Sequence, residues 1–331
     1  MGRACYRQQF LGLVCVSALF LSSCALRTPL ANGRIVEAVP IELDLTIPGQ
    51  ERFGSLTFVS GFELKSSDSR FGGLSGLVVT ADGSKLYAVS DRGYWISASL
   101  HHDAAGRLTG FEDWEIAPLL NLEGSPVSGR DRDAEALARD HDGSFIVCFE
   151  QRHRLWRYPS SPTPLRAAAQ KVQTPDELTK APANGGPEAI AVLPDGGLFV
   201  MTEEYENADG SLKGWLIEKD QFVGLSYLSS DRLRPVDAAA LTSGDVLVLE
   251  RRFSLFGGWD ARVRRLSRDS LHAGIRLEGE EIARLVPPLP LENFEGMAVW
   301  EHPQAGTFLY LVSDDNYNPF QRTLLLQFRL E

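Results

Sequence analysis

The chain has 331 residues, 44% of them hydrophobic and 23% charged, with a formal net charge of -11. Those proportions belong to a globular protein, and the length allows one large domain or two ordinary ones. So acidic a chain lacks the basic footprint that nucleic-acid binding needs, and it suits cationic ligands or metal ions better.

The first segment reads as an address. Arg3 and Arg7 precede an apolar run from Phe10 to Phe20, too short to span a bilayer comfortably and of the length of a signal-peptide core. Leu21-Ser22-Ser23-Cys24 follows directly and resembles a bacterial lipoprotein box, in which the signal is cut before a cysteine that becomes acylated. The expectation is a signal peptide over residues 1–23, lipidation at Cys24, a tether over 24–33 with Pro29, and one domain over 34–331. An ordinary secretory signal with an incidental cysteine is the alternative. Ala25 after the cysteine implies, by resemblance to lipoprotein sorting, the outer membrane facing the periplasm. Cys148 is then the one cysteine of the body, inside an apolar strand. No internal disulfide can form, and an inert buried thiol is expected.

Beyond the tether, Ile35 to Leu45 and Leu56 to Leu64 are strand-like, and then a unit recurs five times. In the first, Gly73 to Val79 is a strand, Ala81-Asp82-Gly83 a turn suited to positive backbone dihedrals, and Leu86 to Asp91 the returning strand. The second runs from Asp133 through a turn at Asp142-Gly143 to Glu150. The third runs from Glu188 through Asp195-Gly196 to Glu203, the fourth from Asp237 through Ser243-Gly244 to Glu250, and the fifth from Phe294-Glu295 to Ser313-Asp314-Asp315. Each interval holds further strand candidates, such as Tyr94 to Leu100, Phe111 to Leu120, Arg154 to Tyr158 and Leu165 to Val172, while Thr174 to Lys180 fits a single helical turn. Four strands per repeat is the content of a propeller blade. The fifth unit retains only Thr323 to Leu330 and is one strand short, which Leu56 to Leu64 can supply, closing the ring and removing two open sheet edges. The fold predicted is all-β, a five-bladed β-propeller of four-stranded antiparallel blades whose last blade is closed by an N-terminal strand. A sixth partial blade built on Ile35 to Leu45 is the alternative.

Aligning the units puts Ser75, Glu135, Glu188, Asp237 and Glu295 in one column and Asp91, Glu150, Glu203, Glu250 and Asp314 in another. Small residues follow the first column each time, as a crowded axis requires: Gly76, Ala136, Ala189, Ala238 and Gly296. Both columns are expected at one mouth of the channel. Two carboxylates about 4 Å apart repel by roughly 4 kcal/mol at an effective dielectric of 20, so such a cluster must bind a cation, pair with arginine, hold protons or spread into water. Arg92, Arg132, Arg152, Arg251 and Arg252 lie beside these acids, and Asp315, Asn316 and Asn318 add oxygen donors. Hard oxygen ligands suit Ca²⁺ or Mg²⁺, and paired guanidinium donors suit phosphate or carboxylate. Against this stands a reading in which the acids cap strands and the arginines are structural partners.

Other chemistries are weaker. The six histidines show no zinc-ligand spacing, and His153 by the rim reads as a surface residue. Gly73-Leu74-Ser75-Gly76 falls short of a nucleophile elbow because Leu77 stands where the last glycine belongs. Phe256-Gly257-Gly258-Trp259 reads as a loop tip whose aromatics pack on a blade edge.

Asp133-Ala134-Glu135-Ala136-Leu137, Glu250-Arg251, Asn293-Phe294-Glu295-Gly296-Met297 and Ser313-Asp314-Asp315-Asn316 together resemble the bacterial "esterase-like activity of phytase", or phytase-like, domain over roughly Phe71 to Leu330. The resemblance implies a propeller rich in Asp and Glu with phosphodiesterase or phytase-like hydrolysis, and Ser75 departs from the acidic pattern. On this reading Glu135, Glu188, Asp237, Glu295, Asp91 and Asp314 bind a divalent cation, Ca²⁺ or Mg²⁺. Glu150, Glu203 and Glu250 position or activate water, and Arg92, Arg132, Arg152 and Arg251 hold the phosphate of a small phosphorylated substrate or other anionic ligand. The chain is expected to act as a monomer, touching the membrane through its N-terminal lipid only. The alternative is a non-catalytic ligand- or protein-binding envelope propeller.

Overall fold

The computed structural model describes residues 35–43, 51–219 and 221–331, so the expected signal peptide, Cys24 and the tether lie outside the described residues. The repeat is present as five small antiparallel sheets around an axis. The innermost strands are Leu74–Val79, Ala134–Arg139, Pro187–Val192, Arg234–Ala240 and Asn293–His302. Each touches the next, and the fifth touches the first, so the ring is closed.

Blades one to four follow chain order outward, with one addition. The third takes a short parallel strand, Arg276–Leu277, from a loop of the fourth onto its outer edge at Gln221–Tyr227. The fifth is completed as expected. Leu56–Lys65 pairs with Thr323–Leu330, Leu56 opposite Leu330 and Leu64 opposite Thr323. Its Ser60 hydroxyl donates at 2.9 Å to Gln327 Oε1. That glutamine also takes the Leu108 amide at 2.8 Å and donates to the Gly106 carbonyl, tying the closing blade to blade one. Glu37–Pro40 lies outside Leu56–Lys65 as a further edge strand, so the run from Ile35 makes no sixth blade. Leu165 to Val172 contributes only Gln170–Lys171 as a strand after a 3-10 turn at Pro164–Arg166, and Asp176–Lys180 forms the expected single turn.

The core follows from this arrangement. Inner strands are buried on both faces, because each blade packs on two neighbours, and so they read as continuous apolar runs. Five apolar clusters fill the five spaces between blades, as with Trp95, Phe145 and Tyr158 between blades one and two. Burying each such side chain contributes roughly 1.5–3 kcal/mol. The hairpin turns repeat one device: Asp82, Asp142 and Asp195 each accept the amide two residues on, and the glycine after each aspartate has a positive φ, 72° at Gly83. Where the inner strands of neighbouring blades meet, backbones approach closely. A Cβ on Gly76 would stand 2.5 Å from the Leu137 amide nitrogen of the next blade.

Candidate functional site

Every inner hairpin carries a β-bulge where its first strand leaves the channel mouth. In four blades the unpaired residue is Ser75, Glu135, Glu188 or Glu295, the first sequence column. A bulged residue drops out of the ladder and its side chain is re-aimed. Here that brings carboxylates of different blades together: Glu135 feels Glu295 and Asp91, and Glu188 feels Glu135 and Glu295.

Blade four breaks the pattern by one residue. Its bulge falls on Val236, between the pairs Pro235–Glu250 and Asp237–Leu249. Asp237 therefore occupies the small-residue layer with Gly76, Ala136, Ala189 and Gly296, and Glu250 occupies the fully buried layer of Ser90, Phe149, Thr202 and Ser313. A one-residue slip moves every side chain of a strand to the other face. The expectations of Asp237 as a metal ligand and Glu250 as a water-activating group are corrected on this ground. Asp237 accepts the Ala238 amide at 2.8 Å and the Met297 amide at 2.6 Å, pinning blade four to blade five. Glu250 accepts from Arg262 Nε at 2.5 Å and from the Tyr227 hydroxyl at 2.9 Å, with Arg264 Nε at 3.4 Å, all away from the mouth. The residue that blade four presents beside Glu203 and Asp314 is Arg251.

The mouth is thus a ring of carboxylates with one guanidinium set into it. Arg251 Nη2 lies 2.5 Å from Glu295 Oε1 and 3.8 Å from Glu203 Oε1, and Asn293 donates to the same Glu295 oxygen at 2.7 Å. Burial first, then Glu203, Glu150, Glu135 and Glu295, pushes the Glu188 carboxyl well above the usual range. Burial raises Glu203 too, against the pull of Arg251.

The opposite side of the ring has no such partner. Asp133, Glu135 and Glu150 each offer an oxygen, and the three lie within 4.8 Å of one another. Burial, then Asp133, Glu150, Glu295 and Asp91, pushes Glu135 well up. Burial raises Glu150 to about 7, although its Oε1 accepts the Gly185 and Gly186 amides at 2.7 and 2.6 Å. Asp91 is raised to about 6 by burial and by Asp133, offset in part by Arg92 and Arg132, and its Oδ1 is buried without a hydrogen-bond partner. Asp314 is raised to about 8 by burial, then Glu295, while its Oδ1 accepts the Asn316 amide.

The other arginines divide. Arg92 stacks its guanidinium 3.2 Å over the Tyr317 ring at the rim, and Arg132 stands exposed nearby. Arg152 is exposed and paired at 3.0 Å with Asp131, outside the ring. His153 donates from Nε2 to the Pro182 carbonyl at 2.9 Å. Ser75 is buried, and Cys148 is a buried free thiol whose pKa burial raises. Asp133 was passed over as a site residue. Its signal was the Asp-Ala-Glu spacing, which sets a second carboxylate across one strand residue from the bulged Glu135. Asp315 is placed by the loop that follows it, accepting the Gly73 and Tyr317 amides.

A hard divalent cation fits the Asp133, Glu135 and Glu150 side: all donors are oxygens, they converge within 4.8 Å, and burial with neighbouring acids raises the Glu135 and Glu150 carboxyls.

No curated protein is matched by this chain. Among solved structures it is similar to a gluconolactonase from Xanthomonas campestris at 12% identity, covering 88% of this chain and 97% of that one, with a TM-score of 0.44. It is similar to the PQQ-bound aldose sugar dehydrogenase of Streptomyces coelicolor at 14% identity, covering 92% and 100%, with a TM-score of 0.43. The virginiamycin B lyase of Staphylococcus aureus follows at 9% identity, covering 89% and 100%, with a TM-score of 0.39. The family model described as phytase-like, esterase-like activity of phytase, matches residues 69–317, from just before the first inner strand to the rim loop of the fifth blade, and the chain belongs to that family.

Proposed function

We propose that this chain is an exported, lipid-anchored propeller that hydrolyses a phosphate ester with a divalent cation held by Asp133, Glu135 and Glu150. The observation that carries the proposal is the division of the mouth into a cation-seeking carboxylate side and a side bearing Arg251. A cation bound there would supply Lewis-acid polarisation of a phosphoryl oxygen. Arg92 and Arg132, exposed at the rim beside Asp91, take phosphate oxygens through their paired donors. Arg251, held in place by Glu295 and Glu203, adds fixed positive charge where the ester's charge develops. Glu188 and Glu203 stand together with carboxyls raised by burial, which suits proton transfer to or from water and the leaving alcohol.

The test is turnover of a phosphomonoester and a phosphodiester of nitrophenol by purified protein, with Ca²⁺, with Mg²⁺ and with chelator. Cation-dependent turnover lost in Glu135→Gln and Glu295→Gln is the expected result. Cation and anion binding without turnover of either ester would instead establish a ligand-binding envelope propeller. The anchor is tested separately by incorporation of labelled fatty acid, expected in the natural chain and absent in Cys24→Ser.

A further inference from the structure

Of the two aromatics expected to pack on the edge of the fourth blade, Trp259 is half-buried against Phe253 with ring centroids 4.9 Å apart, and Phe256 is not packed. The strands Val246–Ser254 and Gly258–Leu266 run on three residues past Arg251, about 10 Å of strand at about 3.3 Å per residue, before the turn at their tip. Phe256 at that tip is fully exposed, Leu255 is 82% exposed and Phe253 is 58% exposed. Seven large apolar side chains are exposed among the described residues: Ile35, Phe222, Phe253, Leu255, Phe256, Val286 and Phe320. Strand register places six of them on one side. Val286 follows Leu285, which pairs with Ala261 beneath the tip, and Phe320, 90% exposed, caps the loop after Asp314 and Asp315. Ile35 precedes Glu37, which pairs with Lys65 at the mouth end of the closing strand. Phe222 alone lies at the opposite end, across from Ile217. So concentrated an apolar rim marks an interaction surface.

The chain itself indicates the occupant. The described body begins at Ile35 on this same face, eleven residues after the proposed acylated Cys24. Eleven residues reach at most roughly 40 Å. A lipid at Cys24 therefore tethers the body by its mouth face, where Ile35 lies. We infer that the mouth face docks on a lipid bilayer, with Phe256, Leu255 and Phe320 entering the interface, and that the ester cleaved is the phosphate ester of a membrane lipid headgroup. Its docking part stands on the exposed rim and the lipid anchor, and its substrate part rests on the hydrolase reading above.

Buried Cys148 makes the test selective, because a cysteine introduced at the surface is the thiol a reagent reaches. The mature acylated chain is reconstituted in phosphatidylcholine vesicles carrying spin-labelled lipid, with an environment-sensitive dye on Phe256→Cys, Phe320→Cys or Phe222→Cys. Strong quenching at positions 256 and 320 with none at 222 is expected. Equal quenching at all three, quenching at 222 alone, or a chain that stays out of the vesicles overturns the docking. In the same vesicles, the Leu255→Ser/Phe256→Ser double variant should lose tenfold or more of its hydrolysis of phosphatidylcholine while cleaving a soluble phosphodiester as the natural chain does. Hydrolysis of the soluble ester alone overturns the lipid substrate and leaves the hydrolase reading standing. Insertion without hydrolysis of any ester overturns the hydrolase reading and the lipid substrate and leaves the docking standing.

Discussion

Glu250 and Glu135 look alike in sequence, each an acid in a repeated column, and the structure gives them opposite energetic roles that a single pair of variants separates. Glu250 is fully buried, and Arg262, 2% exposed, depends on it through the 2.5 Å contact to Nε. Removing one member of a buried pair strands the other, at a cost of about 3–5 kcal/mol. Glu250→Ala also strips the Tyr227 hydroxyl of its acceptor, while Arg262 keeps Ser230 at 2.9 Å and Glu281 at 3.5 Å, so the whole of that range applies. Against a total stability on the order of 5–15 kcal/mol the loss is large, and at about 2–4 °C per kcal/mol the melting temperature should fall by about 6–20 °C. Glu135 is surrounded by like charge, and one neighbouring carboxylate about 4 Å away is worth roughly 4 kcal/mol of repulsion at an effective dielectric of 20. Glu135→Gln should therefore leave the melting temperature unchanged or raise it in chelator, while removing cation-dependent stabilisation. Thermal unfolding followed by circular dichroism, with chelator and with Ca²⁺, reads both. A Glu250→Ala protein that melts within 2 °C of the natural one, or a Glu135→Gln protein that loses as much as Glu250→Ala, would refute the placement of blade four.

The raised carboxyls set a pH dependence. Glu150 at about 7, Asp91 at about 6 and Asp314 at about 8 all exceed their unfolded values, so the native chain binds more protons over that interval and stability in chelator falls as pH rises from about 4 to about 8. Glu150 alone accounts for about 3 kcal/mol of it, and saturating Ca²⁺ should flatten a melting-temperature profile taken from pH 5 to 8; a flat profile in chelator contradicts the cluster. Arg251→Met leaves Glu203 and Glu295 without their cation, so calorimetry should show added cation binding together with lower stability in chelator. Gly76→Ala puts a methyl 2.5 Å from the Leu137 nitrogen and should cost about 1–3 kcal/mol in urea unfolding. Gln327→Leu abandons the Leu108 amide and the Gly106 carbonyl, about 1–3 kcal/mol for each buried group, and should expose the closing strand to proteolysis.

The ring was legible because its signals are local and recur. β-rich returning strands and a small residue on the inner strand recur in five copies, Asp-Gly turns in three, and Leu56 to Leu64 at the other end of the chain could supply the missing strand of the fifth blade. The register of blade four was legible as well, through a different count. Ser75, Glu135 and Glu188 stand seven residues before the turn positions Asp82, Asp142 and Asp195, whereas Asp237 stands only six before Ser243, and Val236 stands seven. Aligning by acidity outweighed aligning by distance to the turn, and strand alternation converted one residue of error into two misplaced carboxylates. What the sequence withheld is three-dimensional: that Arg152 turns outward to Asp131, that the tip at Phe256 clears the blade, and that Asp133 converges with Glu135 and Glu150.

The slip in blade four is also what gives the mouth a direction. With blade four in register with the others, Asp237 and Glu250 would join the carboxylates at the mouth and Arg251 would not stand among them. Moving one strand by a residue withdraws two acids into the wall, where backbone amides and Arg262 satisfy them, and brings a guanidinium to the surface between Glu203 and Glu295. Arg251 then places positive charge on the side of blades three to five, while Asp133, Glu135 and Glu150 converge on the side of blades one and two, where Arg92 and Arg132 offset Asp91 in part. A mouth polarised in this way attracts a cation at one edge and holds an anion at the other, as the proposed hydrolysis of a phosphate ester requires.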